Sequence, residues 1–134
     1  MTMTDEELVS AFESTELPGD QFTHAAHVRV AWCYLRRSST AEALARFDLG
    51  LRRFAAANGA AGKYHATITT AFMLLIAERL EDARDLTWTE FAARHPELLT
   101  NHPSILARYY RADTLTSDRA RRVFVMPDRL PAGD

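Results

Sequence analysis

A chain of 134 residues with 16 basic and 18 acidic side chains, a formal charge of −2 and 47% apolar residues can bury one hydrophobic core, and it has no surplus of positive charge to attract nucleic acid or anionic lipid. Its one cysteine, Cys33, excludes an internal disulfide and a Cys-based zinc cluster, so a metal would have to rest on His, Asp, Glu or Tyr. The longest apolar run, Ala71 to Ala77, is far shorter than the roughly 20 residues of a bilayer crossing, and the acidic start Thr4-Asp5-Glu6-Glu7 is unlike a basic signal peptide. The expectation is a single cytoplasmic domain over residues 1–134, with 128–134 as a mobile tail.

Thr4-Asp5-Glu6-Glu7 has the spacing of a capping box and predicts a short first helix carrying Leu8, Val9 and Phe12. A turn at Leu17-Pro18-Gly19-Asp20 follows, and Thr23 is placed to cap a second helix. At 100° per residue His24, Val28, Ala31 and Leu35 form one stripe, flanked by Trp32 on one side and by His27 and Tyr34 on the other. Arg29, Cys33, Arg36 and Arg37 fall opposite. The two histidines therefore continue the buried face.

A third helix is predicted from Thr40 to about Asn58, with Leu44, Phe47, Leu51, Phe54 and Ala55 in register and Gly59 as its stop. From His65 to about Leu80 the pattern is apolar almost all round, which predicts a central helix surrounded by neighbours. Thr87-Trp88-Thr89-Glu90 opens a short helix to about Arg94, ended by His95-Pro96; Asn101-His102-Pro103 opens another through Tyr110. Ser117 or Thr116 caps a last turn with Arg119, Arg121 and Arg122, and Val123 to Pro127 reads as extended and apolar. No alternating pattern is long enough for a sheet, so the fold class is all-α, with about six helices.

Histidines three apart on a helix have Cβ atoms about 5–6 Å apart, so the rings of His24 and His27 can reach one ion or one substrate. His65 begins a second inward stripe with Thr69, Phe72 and Ile76. If the two helix starts lie side by side, His24, His27 and His65 converge at one end of the bundle. Three histidines and a water form a known catalytic zinc arrangement, and imidazole also suits copper, iron and nickel. Against a metal stand the absence of any carboxylate in either motif and the positive helix N-termini. A metal-free alternative has a neutral histidine acting as acid or base with Tyr64 or Tyr109 as partner. Val28, Trp32, Ile68, Thr69 and Phe72 would line such a pocket and suit a small, mostly hydrophobic substrate with one polar group. Arg119, Arg121 and Arg122 would serve as a clamp for phosphate or carboxylate, or simply as a solvated face.

Phe22-x-His24-x-x-His27, Ala31-Trp32-x-x-Leu35, Tyr64-His65-x-Thr67-x-Thr69, Tyr109-Tyr110 and Ala120-Arg121-x-x-Phe124-Val125-x-Pro127-Asp128 together resemble a group of small, uncharacterised, all-helical bacterial proteins. The resemblance covers most of the chain and implies no particular activity. In that group an acidic residue often follows the second-motif histidine, where this chain has Ala66. The function expected from these residues is a small-molecule enzyme of hydrolase, lyase or isomerase type, using metal-bound water or histidine acid/base chemistry. The alternatives are a non-catalytic ligand-binding or regulatory module, and a helical protein whose histidines only satisfy helix ends.

Overall fold

The structure is a computed structural model that describes residues 2–129. Within them the chain forms seven α-helices and no strand: α1 Asp5–Glu13, α2 His24–Arg37, α3 Thr40–Ala57, α4 Ala66–Leu80, α5 Trp88–Arg94, α6 Ala112–Leu115 and α7 Asp118–Arg122. Short 3-10 turns lie between them. None of these helices is long and apolar enough to cross a membrane.

Local chemistry explains the helix starts. Thr4 and Glu7, and again Thr87 and Glu90, satisfy each other's backbone N–H groups as full capping boxes, and the hydroxyls of Thr23, Ser39 and Ser117 cap α2, α3 and α7. α3 ends where expected: Asn58 is its C-cap and Gly59 takes φ +65°, a conformation that suits a residue with no Cβ. The segment predicted as a helix from Asn101 to Tyr110 is instead a 3-10 turn over Ile105–Arg108, with the Ser104 hydroxyl accepting from the Leu106 N–H. The last turn is split into α6 and α7, with Thr116 closing the first and Ser117 opening the second.

α4 sits at the centre, touching α2, α3 and α7, while α1 lies across α2 and α3. Phe12 of α1 is fully buried in an aromatic nest, its ring centroid 5.3 to 5.6 Å from those of Phe22, Phe47 and Phe54. Gly50 makes this approach possible, because a Cβ there would lie 2.7 Å from Cε2 of Phe12. Gly50→Ala gains up to about 1 kcal/mol in helix propensity, but it overpacks a ring that has no room to retreat, at about 1–3 kcal/mol. The expected result in urea titration is a net loss of about 1–2 kcal/mol.

The segment after α7 is strapped to the body. The Thr67 hydroxyl, fully buried on α4, donates to Val123 O at 2.9 Å and accepts from Val125 N–H at 3.0 Å. The Tyr110 hydroxyl donates to Val125 O at 2.7 Å. Asp128 and Arg129, expected to begin a mobile tail, are held: their N–H groups both donate to Tyr109 O, and the Asp128 carboxylate accepts from the Arg111 N–H and the Thr114 hydroxyl. Residues 130–134 of the expected tail lie outside the described residues.

Candidate functional site

The N-terminal ends of α2 and α4 lie in one region, since His27 in the first turn of α2 and His65 at the N-cap of α4 wall one cavity. There His27 and His65 line the same cavity of about 580 Å³, together with Phe22, Leu51, Phe54, Asn58, Lys63, Tyr64, Ile68 and Thr69. A neighbouring hollow of about 300 Å³ is lined by His24, His27, Phe72, Leu106 and Leu115, and shares Phe22, His27 and Ile68 with the first. His27 stands at the junction.

The three imidazoles are in different chemical states. His65 is the N-cap of α4: its Nδ1 accepts from the Ile68 N–H at 3.1 Å. The ring proton must then sit on Nε2, which donates to Leu115 O at 2.7 Å. Its one lone pair is committed. In His24, Nε2 donates to Leu98 O at 2.9 Å, and the ring rests edge-on against Phe72 at 5.2 Å. Both side chains tie a helix start to a distant backbone carbonyl.

His27 has no such tie. Its ring lies between Phe22 and Phe47, with centroids at 5.5 and 5.1 Å, and stacks on His24 at 6.5 Å. Nδ1 is shut off from solvent and has no hydrogen-bond partner. Burial, followed by the neighbouring His24, pushes its pKa down to about 4, so the ring is neutral at pH 7. An unpaired buried N–H is a rarer defect than an unpaired lone pair, which favours the tautomer with the proton on Nε2. His27 thereby carries a single N–H, on Nε2, in a ring that lines both cavities.

The expected tri-histidine centre for zinc, copper, iron or nickel is not assembled: no three His, Cys, Asp or Glu side chains among the described residues come together as a ligand group. The physical reason is that a metal needs imidazole lone pairs. His65 has spent its own on Ile68, and His24 is oriented by its bond to Leu98.

The other expected positions divide. Thr69 and Phe72 do line the paired cavities. Val28 and Trp32 do not; both are fully buried, Trp32 against Trp88 and Phe91 at 5.5 and 6.0 Å. The helical stripe that suggested them meets the helical core, not the cavity. Tyr64 lines the larger cavity, but its hydroxyl is given to the Asp48 carboxylate and the Arg52 guanidinium lies over its ring at 4.0 Å. Burial, with Asp48 reinforcing it, raises the Tyr64 pKa to about 12, which makes the phenol a poor acid. Tyr109 lies in a separate apolar groove with Leu74, Phe124 and Met126, where its carbonyl anchors the C-terminal segment, and it lines neither of the two histidine cavities. Cys33 is buried on its own, its thiol pushed up to about 12 first by burial and then by Asp5.

Reading the sequence alone overlooks Asn58 and Lys63 as cavity residues, and it takes Leu51 and Phe54 for plain core. The α3 stripe holding Leu51, Phe54 and Asn58 at helical spacing was the available signal. No protein-family model, curated protein or solved structure matches this chain, so the chemistry of the cavity has to be inferred from its own side chains.

Proposed function

We propose that the chain binds a small, mostly apolar molecule bearing one hydrogen-bond acceptor, in the cavity shared by α2, α3 and α4, with the neutral His27 ring as its polar contact. The observation that carries this reading is His27 itself, an imidazole with one nitrogen buried and unpaired, at the wall of a cavity whose large apolar side chains are Phe22, Leu51, Phe54 and Ile68. Apolar walls with a few placed polar groups are the usual make-up of a small-molecule site.

A second reading, a small-molecule enzyme that moves a proton, is favoured by the presence of His65, Lys63 and Tyr64 around the same space. It ranks below binding because a histidine with a pKa near 4 is a weak base at neutral pH, where general-base catalysis works best with a pKa close to the working pH. In a catalytic role His27 would donate a hydrogen bond to a carbonyl that gains negative charge, as neutral imidazole can.

The test uses the uncharged fluorophore N-phenyl-1-naphthylamine. The expected result is saturable, one-site fluorescence enhancement with the wild-type chain, and its loss in Leu51→Trp, which fills the cavity, while circular dichroism and melting temperature stay close to wild type. Absence of saturable binding, or binding indifferent to Leu51→Trp, overturns the proposal. Mass spectrometry of small molecules that displace the fluorophore then separates the readings: unchanged ligand means binding and a new mass means catalysis.

A further inference from the structure

The charge inventory of the cavity narrows its ligand. Among the residues lining it there is no Asp or Glu, and the one charged side chain is Lys63. Lys63 has no carboxylate partner among the described residues, although seven Arg–acid pairs form elsewhere. Asp48, linked to the cavity wall through Tyr64, does not itself line the cavity and is occupied by the Tyr64 hydroxyl and Arg52. Tyr64 also walls an adjoining cleft of about 460 Å³, where Arg52, Arg121 and Arg122 face a single acid, Asp118. Two of these arginines are matched, Arg52 by Asp48 and Arg122 by Asp118, so among the described residues Lys63 and Arg121 are the cations of this corner without an ion-pair partner.

Resting on the proposed function above, we infer that the ligand is an apolar monocarboxylate: an aromatic or aliphatic body lying among Phe22, Leu51, Phe54 and Ile68, and a carboxylate reaching Lys63 and the His27 N–H. An amine would meet a cation and no counter-charge. A neutral alcohol would leave Lys63 unanswered. A phosphate dianion would face one ammonium group, and its second charge would have no cationic partner within the cavity. The arginines of the adjoining cleft act at longer range, raising the local concentration of anions and their rate of entry.

Three competitors of N-phenyl-1-naphthylamine share one ring system and differ in their polar group: 1-naphthaleneacetate, 1-naphthaleneethanol and 1-naphthylmethylamine. The acid is expected to displace the fluorophore at roughly tenfold lower concentration than the alcohol, and the amine is expected to be weakest. Lys63→Gln is expected to bring the acid to the level of the alcohol, each competitor being read relative to the fluorophore's own affinity for that variant. Arg121→Gln is expected to slow association of the acid and weaken its dependence on salt. An alcohol that competes as well as the acid, or an acid preference that survives Lys63→Gln, overturns this inference while saturable binding of the fluorophore keeps the cavity reading standing. Failure of the fluorophore to bind removes both.

Discussion

Acidification from pH 6.5 to 4 is expected to weaken the folded state by about 3 kcal/mol through His27 alone. The folded-state pKa of His27 is about 4, lowered first by burial and then by His24, and its position in the first turn of α2 adds an unfavourable dipole for the charged ring. The groups that face it are His24 on its own helix and, across the cavity, Lys63, Tyr64 and His65; none is a carboxylate that could hold the imidazolium. Above pH 6.5 the ring is neutral in folded and unfolded chains alike, and its contribution is fully present. As pH falls below 6.5 the unfolded chain takes up a proton that the folded chain refuses, so stability falls by about 1.4 kcal/mol per pH unit until the folded ring protonates near pH 4. The capping carboxylates of Glu7 and Glu90, lowered from 4.5 by the backbone and side chain of Thr4 and Thr87, begin to lose their contribution only at the acid end of that window, and they do so equally in any His27 variant.

Urea titrations of the wild type and His27→Phe at pH 7.0, 5.5 and 4.5 isolate the effect. Phenylalanine fits between the rings of Phe22 and Phe47 and removes the unpaired Nδ1, so at pH 7.0 the variant is expected to equal the wild type or exceed it by up to about 1 kcal/mol. Toward pH 4.5 the gap is expected to widen by about 2–3 kcal/mol in favour of the variant. Parallel stability curves would mean that His27 titrates normally, and the neutral donor at the heart of the proposed site would be lost with it.

What the sequence makes legible here is what short-range chemistry decides. The capping boxes at Thr4 and Thr87 and the N-caps at Thr23 and Ser117 are matters of three-residue spacing, and they appear in the structure at those residues. The inward stripe through Val28, Ala31 and Leu35 is buried as read, with His24 at its start only half-buried, but periodicity cannot tell whether a buried side chain meets a neighbour or a void. Val28 and Trp32 met neighbours; Thr69 and Phe72 met voids. The region from Asn101 to Tyr110 looked helical because Pro103 can begin a helix, yet Ser104 caps only a 3-10 turn and Tyr109 is turned to hold the C-terminal segment.

The histidines show the limit most clearly. Their placement at helix starts is visible in sequence, but the partners of His24 and His65 are backbone carbonyls 74 and 50 residues away, and a carbonyl carries no residue-type signature. Side-chain chemistry alone therefore suggested three equivalent ligands. The long-range carbonyls make two of them ties and leave the third, His27, with its Nδ1 unpaired. Asp48 escaped notice for the same reason: only the tertiary fold brings the Tyr64 hydroxyl to it, across 16 residues of chain.

His65→Ala is expected to cost about 3 kcal/mol, assembled from two losses that a second variant separates. The first is the N-cap: without Nδ1 the Ile68 N–H at the start of the central helix loses its acceptor, worth about 1 kcal/mol. The second is the Nε2–H bond to Leu115 O, whose removal leaves a part-buried carbonyl unsatisfied and α6 untied from α4, worth about 1–3 kcal/mol. His65→Asn keeps a side-chain oxygen at the cap position but is too short to reach Leu115, so it is expected to recover about 1 kcal/mol of the loss and no more. Hydrogen exchange gives a residue-level check: the Ile68 amide is expected to lose protection in the Ala variant and retain it in the Asn variant. If both variants were as stable as wild type, the ring would not be serving as a tie, and its lone pair would again be free for a ligand. Because Leu115 also lines the smaller hollow beside His24 and His27, both variants should loosen that wall equally. Fluorophore affinity should then follow the Leu115 bond, falling alike in Ala and Asn, while stability follows the cap.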